Sequence, residues 1–191
     1  MGYLALVLMV AFGVFCIGVR TWMHVRQTGR SPFLSGGASG KLATAAYAVL
    51  FSIAAFGDVS GALPRLAHST PLGVVGAALA VAGIAMTMYA QVAMGESWRI
   101  GIDPDEHTAL VTTGPYRVVR NPIYTAMFAF AIGIALVVPN VVAIVGAIVQ
   151  VLAIEFIVRR VEEPYLRQHH GEVFETWSKR TGRFVPRLQQ T

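Results

Sequence analysis

Residues 2–19 carry no charged side chain, and four more predominantly apolar runs follow at about 42–63, 72–94, 122–138 and 141–158. About 20 such residues are what a helix needs to cross a hydrocarbon core of roughly 30 Å. Inside lipid each backbone N–H and C=O must be satisfied within its own segment, so runs of this kind become helices. The pattern predicts an all-α integral membrane protein of about five transmembrane helices. The last two runs are joined only by Pro139-Asn140 and sit at the short limit for spanning, so a tight helical hairpin is expected there. The 13% share of charged residues agrees, since a soluble domain usually has about 25%. The 191 residues make one membrane domain, with residues 1–69 supplying two N-terminal helices and 70–191 a core that ends in a polar tail. No Lys or Arg precedes the first run as a secretory signal would demand, so it is expected to remain as the first helix. The single cysteine, Cys16, lies in an apolar run and reads as a buried thiol with no disulfide.

Charge orients the spans. In a five-span arrangement the segments 20–41, 95–121 and 159–191 share one side and hold fourteen of the 15 Lys and Arg residues, leaving Arg65 opposite. The positive-inside rule then puts the N-terminus outside and the C-terminus in the cytoplasm, consistent with an inner cell membrane. The formal charge of +5 is spread next to apolar spans without an aromatic-interleaved binding pattern, which argues against nucleic acid and for the lipid bilayer as partner. Trp98 and Arg99 are expected at the lipid interface, and the five histidines at the surface. Asp58 is expected to cap a helix or meet water, and Gln91 to bridge helices or to donate to a bound molecule.

The stretch from Leu110 to Tyr124 holds the chemistry. Gly114-Pro115 interrupts helix, and Asn121, restricted by the proline after it, is expected to N-cap a helix whose first residue is Pro122. A helix start offers unpaired N–H groups and partial positive charge, and Arg117 and Arg120 add full charges, which suits a small carboxylate or phosphate. Tyr116 and Tyr124 add ring faces for a cation or a base. Further on, Glu155, Arg159 and Glu162 or Glu163 recur at helical spacing on one face at the end of the last span. An acid within a span is costly, and Glu155 pairing with Arg159 is the plain explanation for that residue. The tail from Arg159 is polar, but Leu166, Val173 and Trp177 recur as on an amphipathic helix lying on the membrane. No Gly-x-Gly-x-x-Gly loop, Ser–His–Asp set or Cys/His metal spacing occurs, so no metal is expected.

Gly114-Pro115-Tyr116-Arg117, then Arg120-Asn121-Pro122-Ile123-Tyr124, Glu162-Glu163 and the tail through Thr181-Gly182-Arg183-Phe184-Val185-Pro186 form an ordered set. As a set, over roughly residues 70 to 188, it resembles the isoprenylcysteine carboxyl methyltransferase family, which is similar to the membrane phospholipid methyltransferases. Asn121 stands where many members have histidine, so no imidazole role is carried to that position. The resemblance implies S-adenosyl-L-methionine as cofactor, in a cytoplasmic pocket formed by the loop before the fourth span and the C-terminal tail. The candidate cofactor-binding residues are Leu110, Gly114, Tyr116, Arg117, Arg120, Asn121, Pro122, Tyr124, Glu162 and Glu163. Arg159 and Glu163 are the candidates to touch the reacting groups.

The expected activity is methyl transfer to a lipophilic or membrane-associated acceptor, such as a prenylcysteine-like carboxylate. Such a transfer is an in-line displacement in which the protein aligns acceptor and methyl group and excludes water. An NADPH-dependent membrane reductase of the sterol-reductase type would use similar cations. A non-catalytic membrane scaffold or transporter component is the remaining alternative, but the halves of the chain show no self-similarity.

Overall fold

The computed structural model describes residues 1–33, 38–100 and 109–187, and for 38–44 the backbone alone. The acidic segment Asp103-Pro104-Asp105-Glu106-His107 lies outside the described residues. Most of the described residues lie in seven α-helices: α1 (Gly2–Phe12), α2 (Arg20–Thr28), α3 (Ala38–Ser60), α4 (Thr70–Met94), α5 (Pro122–Val137), α6 (Val141–Ile157) and α7 (Glu163–Arg180). Among the described residues there is no β-strand, only two isolated bridges.

Two of the junctions are wound rather than broken. A π-helical stretch, Gly13–Val19, fuses α1 and α2 into one rod, and a second, Val158–Glu162, fuses α6 and α7. Three continuous helices, Gly2–Thr28, Thr70–Ser97 and Val141–Arg180, are therefore long and apolar enough to cross a membrane, while Ala45–Ser60 and Pro122–Val137 are shorter apolar helices. The first rod extends about two and a half turns beyond the expected end at residue 19, to Thr28. Its stop is Gly29, whose φ of +69° is a left-handed conformation that glycine adopts without penalty.

The starts follow local rules. Ser69 caps α4, its side chain accepting from the Leu72 N–H at 3.4 Å with Pro71 in the first turn. Asn140 caps α6 by accepting from the Ala143 N–H at 2.9 Å and donates to the Ala54 carbonyl at 3.0 Å, so the expected 122–158 hairpin is pinned at its turn to α3. The densest seam joins α4 to α5. A Cβ placed on Gly76 would lie 2.7 Å from the Gly133 carbonyl, and one on Gly133 would lie 2.6 Å from the Ala80 nitrogen. Small residues permit that approach where hydrophobic burial alone gives helices in lipid no reason to associate. Phe130, Ile134, Val137, Phe51, Ala54 and Leu8 fill the core around it.

Several side chains stand elsewhere than expected. Trp98 is buried at 3% exposure instead of anchoring at the interface, and His24 is buried at 5% instead of lying on the surface. Both are drawn in by the extended first rod, whose α2 residues pack against the end of α4. Asp58 is shut off from water, because Arg65 clasps its carboxylate at 2.5 and 2.7 Å, and it also accepts from the backbone N–H of Gly2 at the start of α1.

Candidate functional site

The two cation-rich segments that lie far apart in sequence are zipped together by their backbones. Gly114, at φ +57°, turns the chain into a short 3-10 helix, Gly114–Arg117, with Pro115 and Tyr116 buried. Val119 then runs parallel to Gly182. The Arg120 N–H donates to the Gly182 carbonyl at 2.8 Å, and the Asn121 N–H and side-chain amide both donate to the Arg183 carbonyl, at 3.1 and 3.2 Å. Thr125 closes the row, its hydroxyl donating to the Phe184 carbonyl at 2.7 Å. Gly182 is required here, since a Cβ on it would sit 1.7 Å from the Val185 carbonyl oxygen.

Glu163 is the ionic centre of this junction. Arg183 holds both its oxygens, Nε to Oε1 at 2.8 Å and Nη2 to Oε2 at 2.7 Å. Arg120 reaches Oε1 with Nη2 at 3.0 Å, and its Nη1 donates to the carbonyls of Ser178 at 2.9 Å and Thr181 at 2.5 Å. One carboxylate and two guanidiniums thus tie the start of α7, its last turn and the entry to α5 into one unit. The hydrogen bond to Glu163 holds the Arg183 guanidinium charged above its ordinary range.

The neighbouring acid is placed differently. Glu162 is half-buried and accepts a hydrogen bond from the Tyr124 hydroxyl at 2.5 Å, and among the described residues no cation pairs with it. Tyr116 lies nearby, donating from its hydroxyl to the Ala90 carbonyl at 3.1 Å while its own carbonyl accepts from Trp177 Nε1 at 3.1 Å. Burial pushes the Tyr116 phenol above its ordinary value, with a smaller downward pull from the Arg20 charge and an upward push from Glu162.

The structure brings together Arg120 with Glu163 and Tyr124 with Glu162, and joins Asn121 to the tail. Asn121 occupies the N-cap position of α5, but its side chain makes no cap hydrogen bond, being spent on Arg183. Pro122 is the buried first residue of that helix, Leu110 is half-buried ahead of the turn, and Arg117 is exposed. Arg159 is exposed too and pairs with Glu155, as the spacing suggested. Arg183 was not singled out in the sequence although it lies in the motif tail, and only its position after Thr181-Gly182 marks it. Arg20 was missed altogether.

Residues 72–173, more than half of the chain, match the phospholipid methyltransferase family. The chain belongs to that family. The motif order from Gly114 to Glu163 falls within the phospholipid methyltransferase match, and the zipped tail and the first rod lie outside it. Among curated relatives, the nickel-cobalt-cadmium resistance protein NccN of Alcaligenes xylosoxydans xylosoxydans is 30% identical over 116 residues, which are 60% of this chain and 53% of that protein. The protein-S-isoprenylcysteine O-methyltransferase B of Arabidopsis thaliana is 30% identical over 89 residues, 46% of this chain and 44% of that protein. The chain spans about half the length of the curated relatives it matches. The isoprenylcysteine methyltransferase resemblance read from the motifs therefore has a counterpart in both a phospholipid methyltransferase domain and a relative of that name.

Proposed function

We propose that the protein is an S-adenosyl-L-methionine-dependent methyltransferase of the membrane, taking its cofactor from the cytoplasm and a lipophilic or membrane-associated acceptor, such as a prenylcysteine-like carboxylate, from the bilayer. What supports this beyond family membership is the Glu162 carboxylate, half-buried beside Tyr124 with no cation to neutralise it among the described residues. A buried acid in that position suits the ammonium group or ribose hydroxyls of the cofactor. Bound there, S-adenosyl-L-methionine supplies an electrophilic methyl group. Glu162 then holds and orients the cofactor, Tyr124 gives it a ring face with the buried Tyr116 packed behind, and exposed Arg117 and the uncapped start of α5 face its carboxylate. Glu163 and Arg120 act from behind, by fixing the tail against α5. Arg159 and Glu155, on the exposed face of the same rod, stand at the acceptor side.

In this proposal α3 and α5 also cross the bilayer, giving five spans with the N-terminus outside and the C-terminus in the cytoplasm. Protease protection in oriented vesicles should find a tag at Thr191 cytoplasmic and one at Met1 external; both tags on one side would remove the five-span count. Titration calorimetry on the purified protein should give heat with S-adenosylhomocysteine and none with NADPH. Binding of NADPH alone would overturn the methyltransferase proposal in favour of a reductase.

A further inference from the structure

A second polar site lies between the first rod and α4, outside the Glu163 junction. Arg20 is buried at 1% exposure in a span-forming rod, with its guanidinium carbon 4.6 Å from the centre of the Trp98 ring. Nη2 donates to the Gly95 carbonyl at 2.5 Å. Nε and Nη1 are buried and have no acceptor among the described residues. An aromatic face and one carbonyl do not replace the hydration that a guanidinium loses, and intramembrane cations are ordinarily matched by an anion.

The surroundings of Arg20 are polar in the same unfinished way. Along the seam the Cys16 thiol donates to the Ile84 carbonyl at 3.7 Å, and Gln91 Nε2 donates to the Cys16 carbonyl at 3.0 Å, one helical turn before Arg20. Thr87 and Gln91, four residues apart on one face of α4, are buried, and both Thr87 Oγ1 and Gln91 Oε1 lack partners among the described residues. The stripe thus offers one buried cation, one hydroxyl and one amide oxygen that helix packing leaves unused.

We propose that Arg20 is the receptor for an oxyanion, a carboxylate or a phosphate, that enters the seam between α2 and the end of α4. Arginine suits the task because its guanidinium is weakly hydrated, permanently charged and able to stack on Trp98 while it donates. Arg20 lies outside the part of the chain that matches the family, whereas Gly95 and Trp98, which hold it, lie inside. The oxyanion has two possible sources, the headgroup of a membrane lipid or lipid-like acceptor and the carboxylate of a soluble cofactor. The site does not depend on the methyl-transfer proposal.

The test uses the full chain in detergent micelles and measures melting temperature and binding. One arm compares dihexanoyl phosphatidate with dihexanoylglycerol, which lacks the phosphate. The other compares S-adenosylhomocysteine with methylthioadenosine, which lacks the amino-acid carboxylate. At least one oxyanion probe should stabilise the wild type, and Arg20→Gln should weaken that probe about tenfold or more without changing its uncharged counterpart. Dependence in the phosphatidate arm identifies the lipid side as the source, and dependence in the other arm the cofactor. If Arg20→Gln does not fold, Arg20→Lys, which keeps the charge but loses the guanidinium donors, gives the same readout. A wild type that binds neither oxyanion probe, or variants that bind both as the wild type does, overturns the proposal. A wild type that binds phosphatidate but not S-adenosylhomocysteine counts against the methyltransferase reading and leaves the phosphatidate arm to decide this one.

Discussion

Arg120 and Arg20 are both largely buried, and both lie toward the basic end of the helices, yet they do opposite things. Every nitrogen of Arg120 is occupied, by Glu163, the Ser178 carbonyl and the Thr181 carbonyl. Arg20 has one carbonyl and a tryptophan face, with two nitrogens unfilled. A saturated guanidinium acts as a clamp, because any ligand must first displace protein acceptors that are already well placed. An unsaturated one is receptive. The same contrast divides the adjacent acids, Glu163 being closed by two cations and Glu162 touched, among the described residues, only by a phenol.

The largest effect should come from breaking the saturated cluster. Glu163→Gln leaves Arg120 without its carboxylate and Arg183 with only the more distant Glu155, 3.8 Å from its Nη1, and losing one partner of a buried pair typically costs about 3–5 kcal/mol. Arg183 is 24% exposed, which puts the expected loss at the low end, about 3 kcal/mol. Thermal melting of the variant in detergent measures it, and a variant as stable as the wild type would end the clamp interpretation.

Glu162→Gln sharpens the comparison from the other side. Its stability should change little, because no ion pair is lost among the described residues. Affinity for S-adenosylhomocysteine should fall by about 1.5–3 kcal/mol, the usual worth of a charged hydrogen bond, or roughly ten- to a hundredfold. Calorimetry that returns wild-type affinity would assign Glu162 to Tyr124 alone.

Arg120→Lys comes next. Lysine keeps the charge but cannot reach Glu163 and two carbonyls at once with a planar fork, so a loss of about 1–2 kcal/mol in unfolding free energy is expected. If the variant instead keeps wild-type stability and loses cofactor affinity, Arg120 belongs to the receptive class with Arg20.

The apolar helices were legible in the sequence because they follow local runs of apolar residues, and α4, α5 and α6 begin within two residues of the runs that announce them. The start of α5 at Pro122 was legible for the same reason, since proline chemistry acts locally. The zipper of 119–125 against 182–184 was not, because it is made of backbone groups about 60 residues apart, and Gly182 shows only that something comes close. Arg20 was illegible for a different reason. A cation at the end of an apolar run reads as snorkelling to the interface, and only the packing of Trp98 and Gly95 over it makes the position a buried one. The acidic pair was legible as a pair, but the sequence could not assign its two members separate roles.

The smallest effect on stability should come from Arg159, which bears most directly on whether the exposed face of the α6–α7 rod takes part in chemistry. Its guanidinium is 56% exposed and its partner Glu155 30%, the two being four residues apart on a helix. Exposed pairs of this geometry contribute about 0.3–0.5 kcal/mol, so Arg159→Ala should melt within a degree or two of the wild type. Cofactor affinity should also hold, because the Arg159 guanidinium is engaged by Glu155 rather than by Glu162. If Arg159 touches the acceptor, the variant loses turnover with a prenylcysteine-like substrate while binding S-adenosylhomocysteine as before. Unchanged turnover with such an acceptor, alongside unchanged melting, would reduce the Glu155–Arg159 pair to a solvated contact and confine the chemistry to Glu162 and its neighbours.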